Sequence, residues 1–486
     1  MKVVVVGAGV GGLACAVRLA HAGHAVVVLE RGAAPGGKCA RVRRGPFTFD
    51  AGPSLLTMPQ VFRALFAATG APLDEELELL RVEPVTEYHF ADGSTLALSA
   101  DLPSALEALE AWSPGSARNW MAFLATCARM WIASHAYLNG PSLWPPRRPS
   151  PGQPAPNPLD AVRVRPWSTL RGLARAHTRD RRLQMVIERF ATYAGGDPRR
   201  CPAALALAGY VEHAFGAWYP RGGMYALVEA LVRRLETLGG ELRLDTPARE
   251  IVVRGGRAQE VVTDAGALPA DAVVTDVDEA IVARRLVGGS QNERRSRPES
   301  PSERPLPERS LSALTLLLGL RGRSERQPHH LIRFPADYDV EFDDLFVHRR
   351  PVREPTLYVS APAATDPNCA PPGAETWTAL VNAPAIGEAV DWGPTQAAVI
   401  KRLGVRERIV ELVRRTPGDL ERETGALGGA IYGAAPHGRL ATLRRAGNRL
   451  GRMRGLWLLG GSVHPGGGLP LVALGAATVA REIGAA

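Results

Sequence analysis

Three glycines near the N-terminus have a spacing that suits phosphate binding. Gly7, Gly9 and Gly12 form the pattern GxGxxG directly after the apolar run Val3–Val6. The first glycine permits a tight turn, the second lets the backbone approach a pyrophosphate, and the third lets helix and strand pack closely. Glu30 ends the next apolar run, where a carboxylate can accept hydrogen bonds from ribose hydroxyls. The spacing therefore predicts a dinucleotide-binding site.

The elements around these glycines form a predicted βαβ unit. Val3–Val6 is β-branched throughout, which is typical of a parallel strand buried on both faces. A helical pattern spans Leu13–Ala22, and Gly23 separates it from the second apolar run, Ala25–Leu29. The N-terminus of this helix would present free N–H groups and a partial positive charge to the phosphates.

Two further motifs indicate which dinucleotide this site binds. Residues 36–38 read Gly-Gly-Lys shortly after Glu30, and residues 50–53 read Asp-Ala-Gly-Pro. Together the three motifs resemble the FAD-dependent amine oxidase and phytoene desaturase superfamily, in which such a run crosses the flavin. The alternative interpretation is that these glycines only shape a loop. It is weaker, because the three motifs occur in the order and at the spacing that an FAD site needs.

The resemblance implies a role for each motif. Glu30 would bind the adenosine ribose, the residues after it would line the pyrophosphate and the flavin, and the turn at 50–53 would pass beside the isoalloxazine. The predicted cofactor is FAD, and its predicted contacts in this part of the chain are Gly7, Gly9, Gly12, Glu30, Arg31, Gly37, Lys38, Gly52 and Pro53.

Landmarks further along resemble the carotenoid and phytoene desaturase branch of that superfamily. Residues 216–224 read Gly-Ala-Trp-Tyr-Pro-Arg-Gly-Gly-Met, and Tyr193 to Pro198 precede them at the expected distance. Residues 456–470, which are rich in glycine, are similar to the closing flavin motif of the family. The resemblance spans the whole chain except the loop at 141–158 and an insertion at 288–308.

The closing motif adds four predicted contacts to FAD, which are Gly460, Gly461, Pro470 and Leu471. A strand that ends in small residues lets the backbone approach a planar ring. A helix beginning near Pro470 would direct its positive end at the N1/C2 carbonyl region, where negative charge develops on reduction. Gly461 stands where the amine oxidase branch commonly has an acidic residue, so one side-chain contact to the cofactor is lost.

No convincing acid–base pair is visible in the sequence. His464 is the weak candidate for a catalytic residue, and a turn residue before Pro465 is an equally good interpretation. His329 and His330 are better explained as structural groups, because no second metal-ligand cluster accompanies them, and no metal is predicted. Asp50 is better explained as a turn residue that bonds its own backbone.

The lack of a convincing acid–base pair in the sequence agrees with the reaction that the resemblance implies. The predicted enzyme is an FAD-dependent oxidoreductase that desaturates a carotenoid such as phytoene, with hydride transfer from an unactivated C–C bond to flavin N5. The protein then needs mainly to orient the polyene and to exclude water. Three alternatives stay open: a 3,4-desaturase of a hydroxylated carotenoid, an amine or terpenoid oxidase, and a flavin-binding scaffold without turnover.

The predicted fold class is α/β. A discontinuous FAD-binding domain of the Rossmann, glutathione-reductase-like type would comprise 1–100, 225–285 and 425–486. Residues 286–424 would form an inserted mixed-sheet substrate domain, in which 288–308 are predicted to be disordered because they are polar and lack periodicity. Residues 101–224, with amphipathic stretches at Leu102–Trp112 and Trp120–Trp131, would form a helical subdomain.

Charge and hydropathy bear on the partners. The formal net charge is +9, but the basic residues are scattered arginines, so nucleic-acid binding is not predicted. The five cysteines form no CxxC pair and are interpreted as buried free thiols in a reducing compartment.

No stretch reaches the ~18 apolar residues of a spanning helix. We therefore expect a cytoplasmic protein that is peripheral on the inner face of the cell membrane and takes a lipophilic polyene. The apolar residues around Trp120, Trp131, Leu143 and Trp144 suit an ordinary helical core better than a lipid-facing entrance.

Overall fold

The computed structural model describes residues 1–142, 149, 153–154, 157–287, 306–388 and 390–486. Two predicted features lie partly outside these residues: Leu143 and Trp144 in the loop at 141–158, and residues 288–305 of the predicted insertion. Within the described residues the strands are, in chain order, β1 (Lys2–Val6), β2 (Ala25–Leu29), β3 (Arg41–Arg44), β4 (Phe47–Asp50), β5 (Leu79–Arg81), β6 (Thr86–His89), β7 (Thr95–Leu98), β8 (Trp218–Pro220), β9 (Glu241–Arg243), β10 (Ala248–Arg254), β11 (Arg257–Thr263), β12 (Gly266–Pro269), β13 (Ala272–Thr275), β14 (Ser312–Arg321), β15 (His330–Arg333), β16 (Leu357–Ser360), β17 (Ala374–Ala383), β18 (Ile409–Arg415) and β19 (Leu456–Leu458).

The α-helices of the same residues are α1 (Val10–His21), α2 (Pro59–Ala68), α3 (Leu73–Glu76), α4 (Leu102–Trp112), α5 (Ser116–Asn139), α6 (Pro158–Arg163), α7 (Leu170–His177), α8 (Arg181–Glu188), α9 (Leu207–Phe215), α10 (Ala226–Thr237), α11 (Glu279–Ile281), α12 (Tyr338–Phe342), α13 (Gly393–Leu403), α14 (Pro417–Thr424) and α15 (Leu469–Ile483).

The valine run at the N-terminus lies at the centre of a parallel sheet. This sheet has five strands in the order β19-β13-β1-β2-β9, and every neighbouring pair in it is parallel. The four valines of β1 are buried, as expected where α1, α10 and α15 cover a sheet face. The strands come from three distant parts of the chain, so the sheet is discontinuous in sequence.

A second sheet is mixed and has seven strands in the order β18-β14-β17-β16-β15-β6-β7. Its long strands β14 and β17 pair along their whole length. Together the two sheets show that the fold is α/β, with one parallel and one mixed sheet. The predicted domain boundaries stay a prediction.

One part of the N-terminal segment joins the mixed sheet. Strands β6 and β7 fall within 1–100, the segment that the sequence assigns to the cofactor domain. In the structure β6 pairs in parallel with β15 at Leu331–Arg333, which are far along the chain. Local hydrophobic periodicity predicts that a strand exists but not which sheet it joins, so this pairing was missed.

Helices dominate the segment between these sheets. Trp120 on α5 is buried in a core formed with α4, α7, α8 and strands of the mixed sheet, which confirms the core interpretation for this residue. Trp131, also on α5, is only partly buried. Within the described residues, no helix combines the length and the apolar character needed to cross a bilayer. The five cysteines are free, and four of them are buried while Cys369 is partly exposed.

Candidate functional site

The glycine turn between β1 and α1 forms a backbone cradle. Gly7 has a φ of +99°, a conformation that favours glycine, and its amide donates to the Leu29 carbonyl at 2.8 Å. A Cβ on Gly12 would lie 2.3 Å from the Gly7 oxygen, so a side chain there cannot fit without movement of the backbone. Gly9 is the N-cap of α1 and supplies no side-chain cap. Gly9, Val10 and Gly11 line the cavity described below, so the N-terminus of α1 lies where it could bind a phosphate.

Glu30 lies immediately after β2, beside this cradle. Its Oε2 accepts from the Ala8 amide at 2.9 Å, and its Oε1 accepts from the Gly32 amide at 2.9 Å. These two bonds fix the carboxylate at the carboxyl end of the parallel sheet, which is where open α/β sheets bind ligands.

The Gly-Gly-Lys segment crosses directly over the cradle. The Gly36 amide donates to the Ala8 carbonyl at 2.8 Å, and the backbone at Gly37 passes close to Gly9. The Lys38 ammonium donates to the Ala430 carbonyl at 3.3 Å and also to the Ile431 carbonyl. Burial lowers the pKa of Lys38 to about 8.

Arg31, by contrast, is exposed at the rim of the cradle. Its guanidinium donates to the Arg422 carbonyl and lies near Gly425. The side chain therefore links the N-terminal segment to the end of α14 and leaves the inner surface of the cradle to backbone groups.

The turn at 50–53 packs against the same segment. A Cβ on Gly52 would lie 1.8 Å from the Lys38 carbonyl oxygen, which leaves no room for a side chain. Asp50 accepts from the Tyr219 hydroxyl at 2.6 Å and from the Met224 amide at 3.0 Å. Burial raises the pKa of Asp50. Asp50 thus joins two sequence motifs, and the prediction that it bonds the backbone of its own turn was wrong, because both of its carboxylate oxygens accept from residues far along the chain.

The closing glycine motif completes the cradle from the other end of the chain. Gly460 has a φ of +101°, and the Gly461 carbonyl accepts a hydrogen bond from Arg445 Nη1 at 2.9 Å. The helix α15 begins at Leu469 with Pro470 in its first turn. The first residues of this helix line the same cavity as the glycine turn, and their contact with FAD stays a prediction.

Asp276 is an acidic residue that the sequence analysis did not single out. It follows β13, and its Oδ2 accepts from the Gly12 amide at 2.8 Å. Burial raises the pKa of Asp276 to about 7, while the Gly12 amide and the Lys38 charge lower it and the Glu30 charge raises it. Asp276 directly follows a parallel strand, as Glu30 does. The same sequence pattern that indicated Glu30 could therefore have indicated Asp276.

One cavity of about 1060 Å³ joins the cradle to the helical segment and the mixed sheet. It is lined by most of the predicted FAD contacts, and Gly12 is the exception because it lies under Asp276. The predicted contacts that line it are Gly7, Gly9, Glu30, Arg31, Gly37, Lys38, Gly52, Pro53, Gly460, Gly461, Pro470 and Leu471.

His464 does not line this cavity. Its Nε2 lies 3.1 Å from the Gly140 carbonyl oxygen, and its ring packs edge-on against Tyr137 at 4.6 Å. Burial lowers the pKa of His464 to about 4, so the imidazole is neutral near pH 7. The geometry supports a structural link between the closing motif and the end of α5, and it provides no contact to a substrate.

The cavity also has polar residues that the sequence analysis did not identify as site residues. Arg189 and Tyr193 come from the turn after α8, and Tyr358 comes from β16. Tyr193 belongs to a motif that the sequence singled out, but Arg189 and Tyr358 carry no local signal because they meet only in the folded chain.

The cradle fits FAD. Gly7, Gly9 and Gly37 line the cavity, so backbone atoms rather than bulky side chains form this part of its surface. Glu30 could accept from a ribose, and the N-termini of α1 and α15 lie at the same cavity, where they suit a pyrophosphate and a reducible ring.

Comparison with known proteins identifies the family. Residues 10–283 match the family model described as flavin containing amine oxidoreductase. The chain is 35% identical to the hydroxyneurosporene desaturase of Rubrivivax gelatinosus, over 99% of this chain and 93% of that protein. It is 32% identical to the zeta-carotene-forming phytoene desaturase of Myxococcus xanthus, over the same shares. It is 27% identical to the 1-hydroxycarotenoid 3,4-desaturase of a Flavobacterium species, over 99% of both chains.

The fold agrees with solved structures. A putrescine oxidase bound to putrescine superposes with a TM-score of 0.64 at 17% identity, over 99% of both chains. An oxidoreductase from Methanosarcina mazei gives a TM-score of 0.62 at 18% identity, over 99% of this chain and 100% of that chain. From the sequence matches and the shared fold, the chain belongs to the flavin-containing amine oxidoreductase family and is an FAD-dependent oxidoreductase of the carotenoid desaturase type.

Proposed function

We propose that this enzyme desaturates a hydroxylated carotenoid, with phytoene as the alternative substrate. The observation that supports a polyene most directly is the cavity, which runs from the cofactor cradle into apolar helical and sheet residues such as Leu205, Val211, Ile332 and Leu380. A long hydrocarbon chain can replace water along such a surface.

The residues of the chain have a limited task in this reaction. When bound, FAD would supply the acceptor for the hydride removed from the substrate. The apolar cavity wall would orient the polyene and exclude water, and the N-terminus of α15 would favour the negative charge that develops on reduction. The nearest candidate base of the sequence analysis, His464, lies outside the cavity lining, which supports a mechanism without a histidine base.

The names of the relatives favour a hydroxylated substrate over phytoene. Enzymes named hydroxyneurosporene desaturase are 34–36% identical to this chain, compared with 32% for the phytoene desaturase of Myxococcus xanthus. The relative named 1-hydroxycarotenoid 3,4-desaturase suggests which bond reacts. We propose the same bond here, next to a hydroxylated end of the polyene.

Two pigment-accumulating hosts test this proposal. The chain is expressed in cells that accumulate a 1-hydroxylated carotenoid and, separately, in cells that accumulate phytoene. We expect a red-shifted polyene in the first host and a smaller shift in the second. An unchanged pigment in both hosts, together with peroxide production from amines by the purified flavoprotein, contradicts carotenoid desaturation and favours an amine oxidase.

We further propose that the enzyme contacts the inner face of the cell membrane through α5, α6 and the turn after them. Ile132 on α5 is 73% exposed and Trp167 is 54% exposed, and both carry large apolar side chains. The basic residues Arg163 and Arg165 lie beside Trp167 in the chain. Exposed apolar side chains next to cations suit an anionic lipid surface.

The same two helices contribute to the cavity. Ala133 and Tyr137 of α5 and Ala161 of α6 line it, so a lipophilic substrate could pass from this surface into the site. Co-sedimentation with vesicles of anionic lipid tests the contact.

We expect the double variant Ile132→Ser/Trp167→Ser to lose vesicle binding and the matched control Val347→Ser to keep it. Val347 is also exposed, but it follows α12 in the chain and belongs to neither α5, α6 nor the turn after them. Equal binding by both variants contradicts the proposed surface.

A further inference from the structure

A buried polar cluster interrupts the apolar wall of the cavity. Arg189 is buried, with its Nε donating to the Tyr88 hydroxyl at 2.7 Å and its Nη1 donating to the Tyr193 hydroxyl at 2.9 Å. The Tyr193 hydroxyl in turn donates to Glu212 Oε1 at 2.6 Å. Arg189 Nη2 lies 3.5 Å from the same carboxylate oxygen. Tyr193 is therefore held between a cation and an anion.

A second tyrosine adjoins this cluster. The Tyr358 hydroxyl lies 2.8 Å from His330 Nδ1 and is also bonded to Ser54. Burial raises the pKa of Tyr358 to about 12, and the charges of Arg189 and Glu212 act on it in opposite directions. The two tyrosines thus share one electrostatic environment.

Both hydroxyl-bearing rings face the cavity. Tyr193 and Tyr358 retain partial solvent-accessible surface although protein surrounds them, and both line the cavity. Their accessible surface is therefore internal. A phenol that already has one donor and one acceptor can still accept another hydrogen bond.

The cluster is also short of hydrogen-bond partners. Among the described residues, His330 Nε2 is a buried atom without a hydrogen-bond partner, and Arg189 Nη2 has only the 3.5 Å ion-pair contact with Glu212. A buried polar group left unpaired is costly, and a wall that served only a hydrocarbon would not need such groups. A small number of polar groups in an apolar pocket usually fixes the orientation of a ligand.

The position of the cluster matches the proposed reaction. Ser54 directly follows Pro53, which the sequence resemblance places beside the flavin ring, and Ser54 is bonded to Tyr358. In a 1-hydroxylated carotenoid, a single methylene separates the carbon that bears the hydroxyl from the 3,4 bond. A site that binds this hydroxyl must therefore lie next to the reacting bond.

We propose that Tyr193 and Tyr358 bind the tertiary hydroxyl of the carotenoid and select it over a hydrocarbon end, with Arg189 and His330 as positioning residues. This inference rests on the proposed function. A hydrocarbon end would leave the phenols facing the cavity without a polar partner. A site built to bond a hydroxyl discriminates strongly against an analogue that lacks it.

Single-atom variants test the subsite. The flavin-loaded wild type, Tyr193→Phe and Tyr358→Phe are each assayed with a 1-hydroxylated carotenoid and with the matching hydrocarbon, both in lipid vesicles. We expect each variant to lower the ratio of the two kcat/KM values by about tenfold, which is the loss of one hydrogen bond. The loss should fall on the hydroxylated substrate, with turnover of the hydrocarbon unchanged or increased.

A matched control separates this effect from loss of any cavity-lining phenol. Tyr137 lines the same cavity, but its hydroxyl donates to the Thr442 carbonyl. We expect Tyr137→Phe to leave the specificity ratio unchanged. Flavin content and the melting temperature are measured for every variant, so that loss of folding is recognised.

The outcomes distinguish the two proposals. If the wild type desaturates both carotenoids and the ratio is the same in the tyrosine variants, the hydroxyl subsite is wrong and the proposed function stands. If the wild type desaturates neither, the proposed function fails. Binding of the two carotenoids, followed by quenching of tryptophan fluorescence, then still tests the subsite, since equal binding by the wild type and the variants overturns it.

Discussion

The two ends of the cavity are built in different ways. The cofactor cradle is made of backbone, with Gly7, Gly12, Gly52 and Gly460 each in a position where a side chain is excluded by φ or by a neighbouring atom. The substrate end is made of side chains from helices, turns and strands that are distant in sequence. The cradle presents amides and helix ends, whereas the substrate end presents an apolar wall with a few polar groups.

This difference predicts how each end tolerates change. In the cradle, one added carbon meets a fixed carbonyl oxygen, and the strain has few ways to relax. At the substrate end, groups of similar volume can replace one another if charge partners change together. The cradle should therefore respond to single substitutions with loss of cofactor, and the substrate end with changes in stability and specificity.

The largest expected effect is that of Gly52→Ala. The new Cβ would lie 1.8 Å from the Lys38 carbonyl oxygen, so the segment that crosses the cradle must move, at a cost of about 3 kcal/mol or more. We expect the purified variant to lose nearly all bound flavin, measured by the visible flavin absorbance. Gly393→Ala at the start of α13 is the control, since its Cβ meets only a flexible side chain. Full flavin content in Gly52→Ala would contradict the account of the cradle.

A smaller effect is expected for Arg189→Met at the substrate end. This change leaves the buried Glu212 without its cation, which costs about 3 kcal/mol and lowers the melting temperature. The double variant Arg189→Met/Glu212→Leu removes both charges and should recover at least half of the loss. Both variants should keep their flavin. A double variant less stable than the single one would show that the pair is not the cause.

The next effect is a pH dependence of FAD affinity. Burial raises the pKa of Asp276 to about 7, so this carboxyl beside the cradle is mostly neutral at pH 6 and mostly anionic at pH 8. Because the anion repels the pyrophosphate, bound FAD should raise this pKa further; a rise of about one pKa unit corresponds to an increase of about fivefold in the Kd for FAD between pH 6 and pH 8.

Asp276→Asn is the matched variant for that measurement, since the amide oxygen can still accept from Gly12. Its Kd for FAD, followed by quenching of flavin fluorescence, should rise less between the two pH values than that of the wild type, and the remaining rise reflects Lys38, whose pKa is about 8. If the wild type shows no change in Kd across this range, Asp276 does not act on the pyrophosphate.

The smallest effect is expected for His464→Asn. The imidazole is neutral near pH 7 and its Nε2 is hydrogen-bonded to the Gly140 carbonyl. Loss of this one hydrogen bond should lower the free energy of unfolding by only about 1 kcal/mol. We expect kcat and its pH profile to stay unchanged in a steady-state assay. A large fall in kcat with normal folding would assign His464 to the chemistry after all.

The same contrast explains how much could be predicted from the sequence. The βαβ unit and the glycine motifs are local, and their spacing predicted β1, β2 and the start of the cradle. Helix α1 begins at Val10, earlier than the predicted Leu13, because two glycines of the turn also adopt helical conformation. The residues of this end are close in sequence, so periodicity and spacing contain most of the information.

The substrate end could not be predicted in this way. Its polar cluster forms where the turn after α8 meets α9, β6 and β16, and no local pattern indicates that Arg189 and Glu212 will pair. The pairing of β6 with β15 was missed for the same reason. Such long-range contacts depend on how elements pack, and one sequence without its fold does not reveal them.

Anaerobic mixing of the flavin-loaded enzyme with a 1-hydroxylated carotenoid in vesicles tests the central claim most directly. Two absorbance bands are followed together, that of oxidised flavin and that of the polyene. We predict that the flavin band bleaches while the polyene band shifts to the red at the same rate, and that the hydrocarbon analogue reacts more slowly. A flavin that stays oxidised in the presence of either carotenoid would contradict the account.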